Sequence, residues 1–381
     1  MKRALLDASP QELGAWMVEQ GYRPFHARQV FGWVLERRAE QFELMSDVPK
    51  DARLGLDAEW TIFSTTPTAH QISPDGTDKL LLACHDGRRI ECVLMSEADR
   101  RTVCISTQVG CGMGCVFCAS GLNGLERNLS KGEIIEQVLR LRNLLPGEER
   151  LTNLVVMGMG ESLANFDNLI AALDLICSQD GLGLGQRRVT ISTVGLPEKM
   201  HKLADLDRQY HLAVSLHAPT EALRNELVPI NDRIGLAAVM EAADAYFQKT
   251  GRQVTFEYVL LGGVNDRHED AWALAHLLAR RKAHANLIPY NPVAGLPYQR
   301  PAPEAVRRFV EILKSAGVSV TVRKTKGRSI DAACGQLRRR FEAGAEIEKA
   351  AGPAGSIPLA RVVEASEAVT GGTFRGERRD P

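Results

Sequence analysis

The first 59 residues carry two amphipathic helical patterns. Ser9-Pro10-Gln11-Glu12 is a capping box with proline at the first helical position, followed at helical spacing by Leu13, Trp16 and Met17. A second apolar stripe consists of Ala27, Val30, Phe31, Val34 and Leu35. The pattern therefore predicts a small helical domain over residues 1–59.

From about Trp60 the pattern changes to one typical of strands. Lys79–Cys84 and Arg88–Leu94 flank Asp86-Gly87, a dipeptide that favours a tight hairpin turn. We therefore expect a β-hairpin extension over residues 60–100.

Between residues 101 and 340, short apolar runs alternate with helical patterns, of which Pro303–Ala316 is the clearest. Six such βα units predict an α/β fold with a parallel sheet, either doubly wound or curled into a partial (β/α)6 barrel like part of a TIM barrel. The pattern leaves both arrangements open, and it predicts a final strand at Val318–Val322 and a disordered tail over residues 341–381. The six strands are expected near Val103–Thr107, Leu154–Gly158, Val189–Thr193, Leu212–Leu216, Val254–Leu260 and Asn286–Tyr290.

Composition places the chain among globular proteins, since 44% of its 381 residues are hydrophobic and 25% are charged. No apolar run approaches the ~18–20 residues that span a bilayer, and the N-terminus lacks the features of a signal peptide. We therefore expect a cytoplasmic protein without membrane contact.

The formal net charge is zero, but positive residues are concentrated between Val320 and Arg340, where Asp331 is the only acid. Such a patch can contact nucleic-acid phosphates, although a solvated basic face is an equally good interpretation. Its members are Arg323, Lys324, Lys326, Arg328, Arg338, Arg339 and Arg340.

Four of the eight cysteines lie between positions 104 and 118, and Cys111, Cys115 and Cys118 have the spacing C-x3-C-x2-C beside three glycines. Thiolates hold iron–sulfur clusters, and three thiolates on a four-iron cluster leave one iron open to a substrate. A structural zinc site is the alternative, but it needs four ligands and no second cysteine pair is close in sequence. Cys84, Cys92 and Cys177 occupy apolar patterns and are expected in the core.

Polar residues follow the ends of several predicted strands: Gly160-Glu161, Ser192, Ser215-Leu216-His217 and Asn291. Each has a structural explanation as a turn, a capping group or a hydrogen-bonded core histidine. Active sites of barrels lie at the carboxyl ends of the strands, so together these residues predict a site there.

The chain resembles the radical S-adenosylmethionine (SAM) methyltransferases that modify adenine C2 in ribosomal and transfer RNA, and their C8-methylating relatives. The resemblance extends from about Gly21 to Leu337. It rests on Arg28-Gln29-Val30-Phe31, Ser106-Thr107-Gln108-Val109-Gly110-Cys111, Arg127-Asn128-Leu129, Ser215-Leu216-His217-Ala218-Pro219, Pro229-Ile230-Asn231 and Ile330-Asp331-Ala332-Ala333-Cys334-Gly335-Gln336-Leu337.

The resemblance implies the partial (β/α)6 barrel rather than the doubly wound sheet, and a [4Fe–4S] cluster on Cys111, Cys115 and Cys118. It also implies SAM contacts from Gly160, Glu161, Ser192, Ser215, Leu216, His217 and Asn291. Glu161 is the residue expected to accept the SAM ammonium group. These are roles of the matching family positions, carried over residue by residue.

The resemblance further implies that Cys334 accepts a methyl group from one SAM, that a second SAM supplies the radical that activates this methyl group, and that Cys104 releases the product through a transient disulfide. Glu91 matches the base that removes the ring proton. Taken alone, Cys334 is as readily a plain thiol, and Glu91 reads as a surface acid.

The implied partners are 23S ribosomal RNA, transfer RNA beside the anticodon, and an electron donor of the flavodoxin or ferredoxin type. A monomer is expected, with the N-terminal domain and the basic patch holding the RNA. Ser162 and Val194, where the C2 enzymes often have proline and serine, keep C8 methylation open. A non-catalytic metal-binding RNA module is the alternative of another class.

Overall fold

The computed structural model describes residues 2–147, 149–323 and 335–342, together with two short paired strands, β15 (Glu348–Lys349) and β16 (Ala360–Arg361). Cys334, three of the seven residues of the predicted basic patch (Lys324, Lys326 and Arg328) and most of the tail lie outside the described residues. Among the helices that are described, none combines the length and the apolar character needed to cross a membrane.

The N-terminal unit contains three helices, α1 (Pro10–Glu19), α2 (His26–Leu35) and α3 (Lys50–Glu59). The predicted capping box of α1 is present, because Ser9 Oγ accepts from the Glu12 amide and the Glu12 carboxylate accepts from the Ser9 amide. The predicted apolar stripe of α2 is buried. Two parallel strands, β1 (Arg3–Ala4) and β2 (Trp60–Thr61), connect the beginning and end of this unit.

The extension that follows is larger than the predicted hairpin. Three antiparallel strands, β3 (Thr66–Ser73), β4 (Thr77–Ala83) and β5 (Arg89–Glu97), continue directly into the main sheet. The expected hairpin of β4 and β5 is present, with Leu81 paired to Glu91. Strand β3 was missed because its alternation is interrupted by the irregular pairing between Pro67 and Ala69.

The main sheet begins with β6 (Arg100–Cys104), after which a small antiparallel ribbon of β7 (Gln108–Gly110) and β8 (Leu125–Asn128) branches off. Six strands then add in parallel to β6, and their spatial order is strictly the order along the chain. A doubly wound sheet would reverse its order at a switch point, so this order confirms the partial barrel. The strands are β9 (Asn153–Val156), β10 (Val189–Thr193), β11 (His211–Ser215), β12 (Val254–Leu260), β13 (Ala283–Pro289) and β14 (Ser319–Val322).

Helices connect the parallel strands, and apolar side chains from strands and helices form one large core that includes Cys84 and Cys92, as predicted. The first connecting helix, α4, is buried along almost its whole length because it lies between the barrel and the N-terminal unit. The helices are α4 (Lys131–Asn143), α5 (Phe166–Cys177), α6 (Pro197–Asp205), α7 (Glu221–Leu227), α8 (Asn231–Ile234), α9 (Leu236–Thr250), α10 (His268–Leu278) and α11 (Pro303–Ser315).

A last short helix, α12 (Gln336–Glu342), follows the predicted nucleophile Cys334. Leu337 packs against Ala69 and Leu81 of the extension, while the Gln336 side chain donates to Pro292 O beyond the end of β13. Helix α12 therefore links the extension to the far side of the barrel.

Candidate active site at the carboxyl ends of the strands

The cysteine loop begins where β7 ends and returns through β8. Gly110 has φ +76°, and a Cβ atom there would lie 2.1 Å from Gly124 O. The Cys111 amide donates to the same carbonyl at 2.9 Å, and the Cys118 amide donates to Cys115 O at 3.1 Å. Glycine at 110 therefore permits the close approach that closes the loop.

The three cysteine side chains are half-buried. Burial raises the pKa of Cys111 to about 12 and raises the pKa of Cys115 above the usual range, and the negative charge of Cys118 raises both further. Thiols this close together become thiolates when they bind a cation, which is the setting of a metal centre.

The arrangement fits a cluster better than a single ion. Within the described residues, no three His, Cys, Asp or Glu side chains converge closely enough to hold one metal ion. A four-iron cluster instead binds each thiolate at a different iron, so three neighbouring thiols need not meet at one point. Cys111, Cys115 and Cys118 would hold such a cluster.

The loop after β9 is pressed against the loop after β6. A Cβ atom at Gly158 would lie 2.6 Å from Ile105 O, and one at Gly160, where φ is +99°, would lie 2.5 Å from Gln108 Cβ. The Glu161 amide donates to Gln108 Oε1 at 2.8 Å. The two glycines therefore allow this backbone to reach the cysteine loop and fix the position of Glu161.

Glu161 is a buried carboxylate that accepts from the amides of Leu163 at 3.0 Å and Val194 at 2.7 Å. Burial raises its pKa, while these hydrogen bonds oppose the rise. An ionised carboxylate has about four acceptor positions, so it retains capacity for a further donor. Its binding of the SAM ammonium stays a prediction.

Ser192 and Ser215 lie on the neighbouring strands β10 and β11, and their hydroxyl oxygens are 3.4 Å apart. Both side chains are half-buried and belong to the same end of the barrel. The sequence prediction that separate strands bring polar groups to one rim is thus met for this pair.

His217 is a buried histidine with a left-handed backbone, φ +59°. Burial, aided by the nearby Arg224, lowers its pKa to about 3, so the ring is neutral near pH 7. Because Nδ1 accepts from the Val259 amide at 3.1 Å, the ring proton resides on Nε2. The ring contacts Phe117 edge-to-face with centroids 4.9 Å apart, beside the cysteine loop.

Arg224, which the sequence reasoning missed, is fully buried behind these residues. Its guanidinium donates to Val194 O at 2.6 Å, Leu216 O at 3.2 Å and Ser215 O at 3.4 Å, and it also contacts the Asn231 side chain. The same helix reaches the cysteine loop, because the Val116 amide donates to Leu227 O. The available signal was an arginine on the core-facing side of a helix, three residues before Leu227.

Asn291 lies beyond β13 and is half-buried, and its Oδ1 accepts from Arg300 at 2.7 Å. Among the described residues, no hydrogen bond given for Asn291 joins it to Glu161, Ser192, Ser215 or His217. Its place in the SAM site stays a prediction.

Cys104 ends β6 and is buried. Glu91 lies on the adjacent strand β5, where it is also buried and pairs with Lys79 at 2.7 Å, so its interpretation as a surface acid is wrong. Its carboxylate accepts from the amides of Gly335 and Arg338, directly after Cys334. The catalytic roles of Cys104, Glu91 and Cys334 remain predictions.

One member of the predicted basic patch does not face solvent. Arg338 is only 7% exposed, and its guanidinium pairs with Glu126 of β8. Arg339 donates to Ala294 O at 3.0 Å and is half-buried. Arg338 therefore supports α12 rather than contributing to an open phosphate-binding surface.

Comparison with known proteins agrees with this architecture. A family model of the radical SAM superfamily matches residues 105–277, and one of the ribosomal RNA large subunit methyltransferase N-terminal domain matches residues 3–62. The chain is 53% identical over 338 residues to a probable dual-specificity RNA methyltransferase RlmN from Rhodopirellula baltica, covering 89% of this chain and 91% of the relative.

A relative with the same name from Bacillus subtilis is 44% identical over 330 residues, which cover 86% of this chain and 91% of the relative. The crystal structure of a radical SAM methyltransferase from Sphaerobacter thermophilus superposes with a TM-score of 0.84 at 42% identity, covering 88% of this chain and 98% of that one. The chain belongs to the RlmN family of RNA methyltransferases in the radical SAM superfamily, and its cofactors are those of that superfamily, a [4Fe–4S] cluster and SAM.

Proposed function

We propose that this protein methylates C2 of adenine in 23S ribosomal RNA and in transfer RNA beside the anticodon. The observation that carries the proposal is that the cysteine loop, the strand-end residues Ser192, Ser215 and His217, and the segment directly after Cys334 meet at one end of the barrel. The family relatives, whose name specifies dual-specificity RNA methylation, support the choice of substrate.

Cys111, Cys115 and Cys118 would hold the cluster, and Glu161 with the strand-end serines would hold SAM. When bound, the cluster and SAM supply the one-electron chemistry that activates an otherwise inert C–H bond. The chain contributes a closed and largely buried site, because the residues around Glu161 and His217 are excluded from water.

Cys334 would act as the nucleophile that accepts the methyl group. Its thiolate forms a bond to the methyl carbon while the carbon–sulfur bond of SAM breaks, and S-adenosylhomocysteine leaves. The thiol proton passes to solvent. The neighbouring positive charges of the 320–340 segment favour the thiolate that this step requires.

Cys104 would release the product. Its thiolate attacks the sulfur of Cys334, the bond between that sulfur and the adenine-linked carbon breaks with its electron pair going to carbon, and this carbon takes up a proton. The resulting disulfide returns to two thiols when a thiol reductant is available. Before this step, the activated methyl carbon on Cys334 joins adenine C2 and the adduct loses one electron, for which the cluster would be the acceptor. Glu91 is proposed as the base that removes the ring proton from this adduct.

The RNA adenine must be unstacked to reach a largely buried site at the carboxyl ends of the strands. We propose that the N-terminal unit and the predicted basic patch hold the RNA, with recognition depending mainly on RNA shape. A flavodoxin or ferredoxin is the proposed electron donor, and the protein is proposed to act as a monomer in the cytoplasm.

The test is anaerobic reconstitution with iron and sulfide, followed by reaction with SAM, a chemical reductant and either a 23S RNA fragment or transfer RNA. We expect 2-methyladenosine in both RNAs by mass spectrometry of the nucleosides. Formation of 8-methyladenosine alone would establish the C8 alternative. Bound zinc with no iron–sulfur absorption and no 5′-deoxyadenosine would establish a metal-binding RNA module instead.

A further inference from the structure

A buried ion pair lies beneath the segment that follows Cys334. Lys79 Nζ on β4 is 2.7 Å from Glu91 Oε2 on β5, and both side chains are 2% exposed. Since Leu81 pairs with Glu91 across these strands, Lys79 is the diagonal neighbour of Glu91 on the same face of the sheet. Burial makes this ion pair important for Glu91, because a buried carboxylate is costly when the positive charge beside it is removed.

The same carboxylate also binds the start of α12. Glu91 Oε2 accepts from the Gly335 amide at 2.8 Å, and Oε1 accepts from the Arg338 amide at 2.7 Å. The first amides of a helix have no partner within the helix and are usually bound by a residue just before it. Here a carboxylate more than 240 residues earlier in the sequence performs this function.

Gly335 is confined on its other side by the cysteine loop. Its φ is +84°, and an added Cβ atom would lie 2.8 Å from Ser120 Oγ and 3.0 Å from Ser120 N. Ser120 is two residues after Cys118. The residue that follows the proposed nucleophile is therefore held between Glu91 and the loop that carries the cluster cysteines.

We propose that Lys79 is a positioning residue for Cys334. Lys79 forms the ion pair that fixes the buried Glu91 carboxylate in place, and this carboxylate holds Gly335 and the first turn of α12 through hydrogen bonds from their amides. The start of α12 in turn fixes the chain immediately after Cys334 against the cysteine loop. This proposal rests on the proposed role of Cys334 as the methyl acceptor.

The role differs from that of a base. As a base, Glu91 would have to release the amides of Gly335 and Arg338 to receive a proton. As a clamp, by which we mean the carboxylate that holds these two amides, it has to keep them. The two roles of Glu91 affect different steps. The clamp is needed when Cys334 accepts its methyl group, whereas the base is needed only after the adenine has become linked to Cys334.

The test compares Lys79→Met and Glu91→Gln with Lys314→Met, which removes an exposed lysine of α11 as a matched control. In the reconstituted full-length protein, the rate of Cys334 methylation by SAM is followed by peptide mass spectrometry, and amide hydrogen exchange is measured across residues 335–342. We expect both site variants to methylate Cys334 about tenfold more slowly and to exchange these amides about tenfold faster, as loss of a charge-assisted hydrogen bond implies. The affinity for SAM and the behaviour of the control should be unchanged.

The proposal would be overturned if Lys79→Met showed the wild-type rates of Cys334 methylation and of amide exchange. It would also be overturned if Glu91→Gln methylated Cys334 at the wild-type rate and lost activity only after RNA had bound. If the wild-type protein never methylates Cys334, the proposed function fails, while hydrogen exchange still tests the clamp. Should a single variant not fold, the double variant Lys79→Met/Glu91→Gln removes both charges together. The double variant should fold and still show fast amide exchange at residues 335–342. Slow exchange of these amides in the double variant would refute the clamp.

Discussion

Replacing Arg224 with methionine removes a buried guanidinium that connects three parts of the candidate SAM site. The carbonyls of Val194, Ser215 and Leu216 would lose the donor they share. Leu216 O keeps the Ala218 amide as a donor, so the acceptors left short are Val194 O, the buried Asn231 Oδ1 and, over a longer contact, Ser215 O. Each buried acceptor left without a donor costs about 1–3 kcal/mol, so the gross loss is roughly 3–6 kcal/mol.

Relief of burial offsets part of this loss. Burial lowers the pKa of Arg224 from 12.5 to about 10, which means that keeping this guanidinium charged costs the folded protein roughly 3 kcal/mol. Methionine has no such cost and fills much of the same space. The free energy of unfolding should therefore fall by only about 1–3 kcal/mol, which leaves the variant folded.

Binding of SAM should suffer more than stability. Ser215 and Leu216 are expected to contact SAM directly, and their backbone would no longer be tied to Val194. A loss of about 1.4 kcal/mol in these contacts already raises the Kd for SAM tenfold. Arg224→Lys keeps the charge but loses the planar fork that reaches several carbonyls, so it should show nearly the same weakening.

The assay is calorimetric titration of the reconstituted protein with SAM, together with urea unfolding. Arg233→Met, which removes an exposed arginine of the neighbouring helix α8, is the matched control. If Arg224→Met binds SAM as tightly as the wild type, Arg224 does not organise the site. If Arg224→Lys binds normally while Arg224→Met does not, the charge matters and the geometry does not.

Three further predictions concern single side chains. Cys115→Ser should abolish iron–sulfur absorption after reconstitution, whereas Cys177→Ser should leave it unchanged; retained absorption in the first variant would show that Cys115 is not a ligand. Cys104→Ala should accumulate RNA joined covalently to Cys334, visible as a slow band on a denaturing gel, and full methylation by this variant would contradict the releasing role of Cys104. Folding lowers the pKa of His217 from 6.5 to about 3, so as the pH falls the unfolded chain takes up a proton on this ring before the folded protein does. The free energy of unfolding should therefore fall below pH 6.5, by about 1.4 kcal/mol at pH 5.5. Urea unfolding at pH 7.5 and 5.5 should show this loss in the wild type and a smaller loss in His217→Gln, and equal losses would exclude His217 as the source.

The parallel part of the fold could be read from the sequence because each strand is a compact apolar run between helical patterns. The predicted strands Val189–Thr193 and Val254–Leu260 have the same bounds in the structure, and the others shift by only a few residues. Strand β3 could not be read in this way, since Thr66–Ser73 contains a proline and buries polar side chains such as Gln71 and Ser73. Its stability comes from pairing with β4, which a local pattern does not contain.

The site was predictable where residues lie close in sequence and obscure where they meet through the fold. The cysteine spacing and the strand-end motifs are local, so the sequence located them. The approach of Glu91 to Gly335 joins residues 244 positions apart, and it turns a residue that looked like a surface acid into a buried anchor. Arg224 was missed for the same reason, because its partners are backbone carbonyls and no sequence motif marks a carbonyl as an acceptor.

The arrangement around Val194 buries Glu161 and Arg224 close together without a direct ion pair between their side chains. Among the described residues, Glu161 and Arg224 form no ion pair with each other; the peptide groups of Val194 lie between them, with its N–H donating to Glu161 at 2.7 Å and its C=O accepting from Arg224 at 2.6 Å. Each charge polarises the backbone that the other binds, which strengthens both hydrogen bonds. A direct ion pair would occupy the carboxylate with a guanidinium fork, whereas this indirect link leaves acceptor positions of Glu161 for a further donor, which we predict to be the ammonium group of SAM. If Arg224 were instead the direct partner of Glu161, replacing it would shift the pKa of that carboxyl sharply. With the peptide between them, Arg224→Met should disturb the backbone of Val194 first and the carboxylate only as a consequence.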